Sequence, residues 1–356
     1  MCPEGRVAAA EYYATHHEEL VVSPADAGAV LARLGQLLDE PLADMSFVPL
    51  YLLSRAARGT VTVALTGDGG DELFGGYPTM AAEWWQRGFA RLPDGARSVM
   101  RAISLAVADT SLGAFLEATA LRPEIGNQTL IGGLSPRRRG ALLSGEVRLA
   151  LGEFDPYRDI DDALARCAAP DATGRMLYRY CKLYLAGQNL VNADRASMAS
   201  GLELRAPFLD HTLVELMGRI PSALKVAGFR RLKHLLKDAI GDRLPPPIRI
   251  RRKQGFGVPF GEWLRGPLRG LLQDVLASEQ VRAAGLFEPR EVERLVREHV
   301  SGARNHRKVL WSILVFELWR REYLERGDMA PDLRARDGIP AASCGQVQAL
   351  AAPALQ

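Results

Sequence analysis

The chain has 356 residues, 47% of them hydrophobic, which is enough to bury a full core, and its length allows two domains. Its 45 basic and 42 acidic residues leave a formal charge of +3, too balanced for a nucleic-acid or membrane-surface binder. No apolar run reaches the ~18 residues a membrane helix needs, and no signal peptide opens the sequence. Four cysteines (Cys2, Cys167, Cys181, Cys344) show neither CxxC nor a histidine at metal spacing, so free thiols in a reducing cytoplasm are expected.

Strand signals are few, at residues 18–22 and 61–65. Between them Ser23-Pro24 reads as N-cap and first helical residue, followed by an apolar stripe at Val30, Leu31, Leu34, Leu37 and Leu38. Strand, helix, helix, strand predicts a parallel α/β layer. After Tyr77 the pattern is helical almost throughout. Helices are expected at 78–92, 97–107, 111–121, 175–190, 208–219, 230–240, 261–276, 288–300 and 305–325. Residues 122–174 read as loops and short helices under Pro, Gly and Arg, and the small, polar tail 338–356 as disordered. The expected division is an α/β part over 1–92, a mainly helical part over 93–327 and a tail over 328–356.

Residues 61–77, VTVALTGDGGDELFGGY, carry the strongest chemical signal. A β-branched run stops at Thr66-Gly67-Asp68-Gly69-Gly70-Asp71-Glu72. Glycines permit φ > 0 and let backbone N–H groups approach a ligand, as in strand-to-helix loops that grip phosphates. The carboxylates would repel a phosphate unless a cation stood between them, so Mg²⁺ is implied. The loop is neither a Walker A sequence nor GxGxxG. The alternative is a Gly/Asp surface turn that caps a helix.

Thr66 to Tyr77 resembles the signature of the synthetase domain of glutamine-hydrolysing asparagine synthetases, a branch of the PP-loop ATP-pyrophosphatase superfamily. Three other blocks resemble that family in the same order: Leu38–Ser46 leading into Val48–Arg58, then Asp194–Ala199 with Gly201–Asp210, then Arg251–Pro259. The resemblance covers about residues 10–325. It implies a short parallel sheet of the adenine-nucleotide α-hydrolase type with its first strand missing, because the sequence has no SGGxDS loop and no glutaminase domain. Met1-Cys2 mimics a glutaminase nucleophile, but Pro3-Glu4-Gly5 does not continue that pattern. A truncated or split synthetase chain is therefore expected.

In the family, ATP activates the aspartate β-carboxylate as an acyl-adenylate and ammonia displaces AMP. By resemblance Thr66, Gly67, Gly69 and Gly70 approach the nucleotide, Asp68 serves the amide-forming step, and Asp71 ligates Mg²⁺-pyrophosphate. Lys253, in the basic Gly-rich loop Arg249–Val258, binds pyrophosphate and stabilises charge at the acyl centre; read without the resemblance, it is a solvated basic turn. Glu72 is expected as a first-turn helix carboxylate. Arg195, Glu203 and Arg205 are either a salt-bridge lattice beneath the site or contacts to substrate. Gly187-Gln188-Asn189 departs from the family, which commonly has two acidic residues there. The cofactors implied are ATP and Mg²⁺. The partners implied are aspartate or a related carboxylate and a separate chain carrying the glutaminase domain and SGGxDS, with no nucleic acid and no membrane, in the cytoplasm. The alternatives are another ATP-dependent amidotransferase or cyclase of the same fold, or a non-catalytic remnant or partner subunit.

Overall fold

A computed structural model describes residues 4–106, 111–132, 134–226, 232–246, 248, 257–325 and 348–349. Ser23 starts the helix Pro24–Leu31 through a capping box: its hydroxyl accepts the Asp26 amide at 3.2 Å, and the Asp26 carboxylate accepts the Ser23 amide at 2.9 Å. The helix breaks at Ala32 and resumes as Leu34–Leu37, yet the stripe holds, with Val30, Leu31, Leu34 and Leu38 all buried. In the next helix, Phe47–Arg58, Phe47, Val48, Tyr51 and Leu52 share the inward face. These N-terminal helices share one core with the C-terminal helices Arg269–Val275, Pro289–Val300 and Arg307–Arg320. There the Phe260 and Trp311 rings lie 4.4 Å apart.

The sheet differs from expectation. Strand β1 (Glu18–Glu19) does not run beside β2 (Val63–Leu65). Instead β2 pairs in parallel with β3 (Glu203–Arg205), Val63 opposite Glu203 and Leu65 opposite Arg205, while β1 pairs antiparallel with β4 (Gln348–Ala349). Leu20 and Val22 pack against the main core as loop residues, so their apolar alternation is satisfied without a ladder. β3 has one apolar residue between two charges, too little pattern to read as a strand. It is set by the turn at Gly201 (φ 69°), which ends the helix Leu190–Met198 and turns the chain back toward β2. The expected parallel layer exists, with a different partner strand.

The helical part follows the expected positions with breaks where chemistry requires them. The stretch 261–276 is interrupted at Gly266-Pro267 into Phe260–Trp263 and Arg269–Val275, because Pro267 lacks an amide and clashes with the preceding turn. Residues 172–198 form one continuous rod, α-helical over Ala172–Arg179, π-helical over Tyr180–Asn189 and α-helical again over Leu190–Met198. Long π segments are rare and concentrate at functional sites. Short helices do fill 122–174: Pro123–Ile131, Pro136–Leu142, Gly145–Leu151 and Arg158–Ala165. Among the described residues no helix is long and apolar enough to cross a membrane.

Candidate functional site

The chain leaves the sheet at Thr66, whose amide donates to the Arg205 carbonyl of β3 at 2.8 Å. The Thr66 hydroxyl donates to Asp68 Oδ2 at 2.7 Å, which draws that carboxylate back over the strand end. Gly69 is left-handed at φ 84°, and a Cβ there would stand 2.2 Å from Leu209 Cδ2. A Cβ on Gly70 would meet the Phe208 ring at 3.2 Å. The Pro207-Phe208-Leu209 turn is therefore seated on the two glycines, which is why sequence blocks more than a hundred residues apart meet here. Gly67 is different: nothing lies within 4 Å of the position its Cβ would take, so its backbone is open to a ligand. Leu73 and Phe74, on the short helix Gly70–Phe74, root the loop in a cluster with Met217, Leu213 and Leu235.

Asp71 points to a lysine, though not the expected one. Lys253 and its neighbours 249–256 lie outside the described residues. Lys233 Nζ stands 2.8 Å from Asp71 Oδ1. Lys233 adopts a left-handed φ of 54°, its amide donates to the Gly75 carbonyl at 3.1 Å, and it caps the helix His234–Ile240. The pattern over 230–240 predicts a helix that would include Lys233 as an interior residue. A signal was present, since a lysine at a helix N-terminus opposes the dipole and calls for a reason.

Glu72 stands in the first turn of the helix Gly70–Phe74, as expected, but it is buried there. It is 2% exposed, and its Oε1 accepts the Tyr77 hydroxyl at 2.6 Å and the Asn189 side-chain amide at 2.9 Å. Burial pushes its carboxyl above the usual range. Burial likewise raises the neighbouring Cys181 thiol to about 12, which makes it inert. Tyr77 is wedged between Tyr180 and Tyr184 of the π-helical segment, at ring distances of 5.3 and 5.4 Å. Asn189 thus supplies a neutral donor where an acidic residue would face Glu72. Asn189→Asp is expected to lower stability by about 2 kcal/mol at pH 8, the cost of a buried charge losing its donor. A raised carboxyl pKa means stability that is present below the unfolded value and lost as pH rises through the folded one. The loss should therefore shrink toward pH 5. Urea unfolding at both pH values checks this; an equal loss at each would contradict it.

The remaining residues form pairs. Arg195 binds Asp39 through two parallel bonds of 2.8 and 2.7 Å and also reaches Asp194 at 2.6 Å; its hydrogen bonds hold the Asp39 carboxyl below the usual range. Glu203 and Arg205 pair with each other at 2.7 Å on one side of β3, both side chains well exposed. Among the described residues no group of three or more His, Cys, Asp and Glu side chains could by itself hold a metal ion. Thr66 to Asp71 form one loop with Lys233 against it, while Arg195 lies with Asp39 in a separate ion-pair cluster.

A family model described as asparagine synthase matches residues 6–321. A Mycobacterium tuberculosis protein named "Putative asparagine synthetase (glutamine-hydrolyzing)" is 33% identical over 328 residues, covering 90% of this chain and 48% of that protein. The Bacillus subtilis "Asparagine synthetase (glutamine-hydrolyzing) 1" is 27% identical over 325 residues, covering 88% and 49% respectively. The "Amidase chyE" of Penicillium rubens is 24% identical over 272 residues, covering 70% of this chain and 40% of that protein. The chain spans about half the length of the first relatives it matches.

Proposed function

The chain belongs to the asparagine synthase family, and from that membership we propose that it carries the ATP-dependent amidating half of such an enzyme. An acceptor carboxylate, that of aspartate in the parent reaction, attacks the α-phosphorus of ATP to give an acyl-adenylate and pyrophosphate. Ammonia released from glutamine, on another part of the protein or on a second chain, then displaces AMP. The observation that carries this reading is the glycine loop at the carboxyl end of β2, with Asp71 and Lys233 paired at its base. Ligands in open α/β sheets bind at that end of the strands. A sheet of the adenine-nucleotide α-hydrolase type and a cytoplasmic setting belong to the same reading.

The residues divide the work by chemistry. Gly67 and Thr66 let the backbone approach the nucleotide, while Gly69 and Gly70 shape the turn. Asp68, steadied by the Thr66 hydroxyl, is the base that takes a proton from the attacking ammonia. Asp71 is a hard oxygen donor, and a small divalent cation is commonly held by one or two carboxylates together with substrate phosphates, so Asp71 suits Mg²⁺. When bound, Mg²⁺ supplies charge neutralisation and polarises phosphoryl oxygens. Lys233, beside Asp71, offsets charge on the departing pyrophosphate, and Lys253 is a second cation for the same group. Glu72 holds Tyr77 and Asn189, Arg195 ties its helix to Asp39, and Glu203 and Arg205 pair on the face of β3.

Product analysis tests the reading. Mixed with a polypeptide that supplies a glutaminase domain and an SGGxDS loop, the chain is expected to yield AMP, pyrophosphate and amide in equal amounts. Release of ADP and phosphate in their place would sink it.

A further inference from the structure

The helix Pro78–Phe89 follows the glycine loop directly, and its buried residues are Met80, Glu83 and Gln86, two polar to one apolar. Glu83 is 0% exposed and Arg179, the residue before the π-helical segment, 3%. Arg179 Nη2 donates to Glu83 Oε2 and, at 3.1 Å, to Asn127 Oδ1. Arg87 Nη2 donates to Glu83 Oε1 and to Glu124, each at 2.8 Å. A buried ion pair gains little net stability over apolar side chains of similar size, because desolvation offsets the attraction. Nor is this network satisfied to the last atom: among the described residues Arg179 Nη1 and Arg87 Nε find no partner. What the pair does supply is one fixed arrangement, since slippage would leave a charge buried alone.

That arrangement reaches the glycine loop through Tyr180. Asn127 Oδ1 also accepts the Tyr180 hydroxyl at 3.1 Å, and Asn127 Nδ2 donates to the Thr79 carbonyl at 2.7 Å. The Thr79 and Tyr180 hydroxyls lie 2.6 Å apart. The buried Tyr180 ring stacks on Tyr77 at 5.3 Å, with 21° between the planes. Tyr77 in turn donates to Glu72, next to Asp71 and its partner Lys233. One end of Tyr180 is thus pinned by the buried network, and its face backs the residue that holds the loop's helix. Glu83, Asn127, Arg179 and Tyr180 all lie outside the sequence blocks that carry the family resemblance.

We propose that Glu83, Arg179 and Tyr180 are positioning residues. They form a buried clamp that fixes Tyr77 and, through Glu72, holds the helix Gly70–Phe74 in the orientation that presents Asp71 to the nucleotide. The effect on turnover rests on the amidation reading; the hold on the loop does not. Preorganisation of this kind serves the transition state more than ground-state binding, so a loosened clamp lowers kcat and leaves the KM for ATP nearly unchanged.

The first test is hydrogen exchange by mass spectrometry on the full chain, which needs no activity. Tyr180→Phe keeps the ring against Tyr77 and removes the pinned hydroxyl. Arg179→Lys keeps a cation for Glu83 without the planar fork that also meets Asn127. Arg320→Lys is the comparison, because it loosens a buried pair with Glu317 in the main core. Amides over 70–77 should exchange about tenfold faster in both clamp variants, the upper end of one hydrogen bond's net worth, and at the wild-type rate in Arg320→Lys. Circular dichroism establishes that the variants fold; should Arg179→Lys fail to, Tyr180→Phe decides alone. In a mixture complemented with the second polypeptide, Tyr180→Phe should lose about tenfold in kcat with the KM for ATP within about twofold. Unchanged exchange over 70–77 in Tyr180→Phe, or equal acceleration in Arg320→Lys, overturns the proposal. A raised KM with kcat kept would overturn it too. Accelerated exchange over 70–77, in a protein whose complemented mixture releases ADP in place of AMP, would support the clamp and sink the amidation.

Discussion

Given Mg-ATP, aspartate and a high concentration of ammonium, the 356-residue chain alone is expected to form asparagine at about a thousandth of the rate of the complemented mixture, or less. On the proposed reading these 356 residues offer the triphosphate the Thr66–Gly70 backbone, Lys233 and Asp71, and the SGGxDS cradle that the family resemblance implies comes from the added polypeptide. Each lost donor to developing charge typically costs ~2.7–4 kcal/mol, a factor of about 10²–10³ in rate. Adding a polypeptide that bears SGGxDS should restore turnover, and Lys233→Ala should then remove about 10²-fold of it. Quantifying AMP, pyrophosphate and asparagine with and without the second polypeptide decides the matter. Turnover by the chain alone equal to that of the mixture would mean a phosphate site not identified among these residues.

Two glycines of the loop region should respond in opposite ways to alanine. At Gly76 a Cβ would stand 1.8 Å from Asp71 Oδ1 and 2.4 Å from Lys233 Cε. Asp71 is too short to swing clear, and moving it breaks the pair with Lys233. Gly76→Ala is therefore expected to cost about 2–3 kcal/mol of stability, as overpacking does. At Gly67 the space is empty, so Gly67→Ala should leave stability within about 0.5 kcal/mol, the range of uncrowded surface changes. Its effect should fall on the ligand instead, because a methyl group would stand where the nucleotide approaches. The KM for ATP in the complemented mixture should rise about tenfold, a loss of ~1.4 kcal/mol. Urea denaturation and ATP saturation curves check the pair. A fully stable Gly76→Ala, or a Gly67→Ala with unchanged KM, would mean the loop is arranged differently.

The local features of this protein were determined by the sequence itself. Ser23-Pro24 with Asp26 satisfies orphan helix donors from adjacent residues, so the helix start needs no tertiary help. The strand Val63–Leu65 running into three glycines likewise specifies a strand-to-loop turn from its own chemistry. The block order Thr66–Tyr77, Asp194–Asp210, Arg251–Pro259 carried the family resemblance, and the first two blocks meet because Phe208 and Leu209 need glycines to pack upon. Other features depended on distant pairing. Which strand lies beside β2 was decided by a register across about 140 residues, and β3 is too short and too charged to announce itself. Glu72 reads as a first-turn carboxylate and is one, but its burial under Tyr77 and Asn189, the latter more than a hundred residues away, is not legible along the chain. Lys233 became the partner of Asp71 through a left-handed turn at the head of its helix, which periodicity does not encode. Asp44 and Lys308 line one cavity of about 350 Å³ built from four segments, and only packing brings those charges to one space. Hydrogen bonds between near neighbours can be read along the chain, whereas burial and charge pairing depend on which distant surfaces exclude water together.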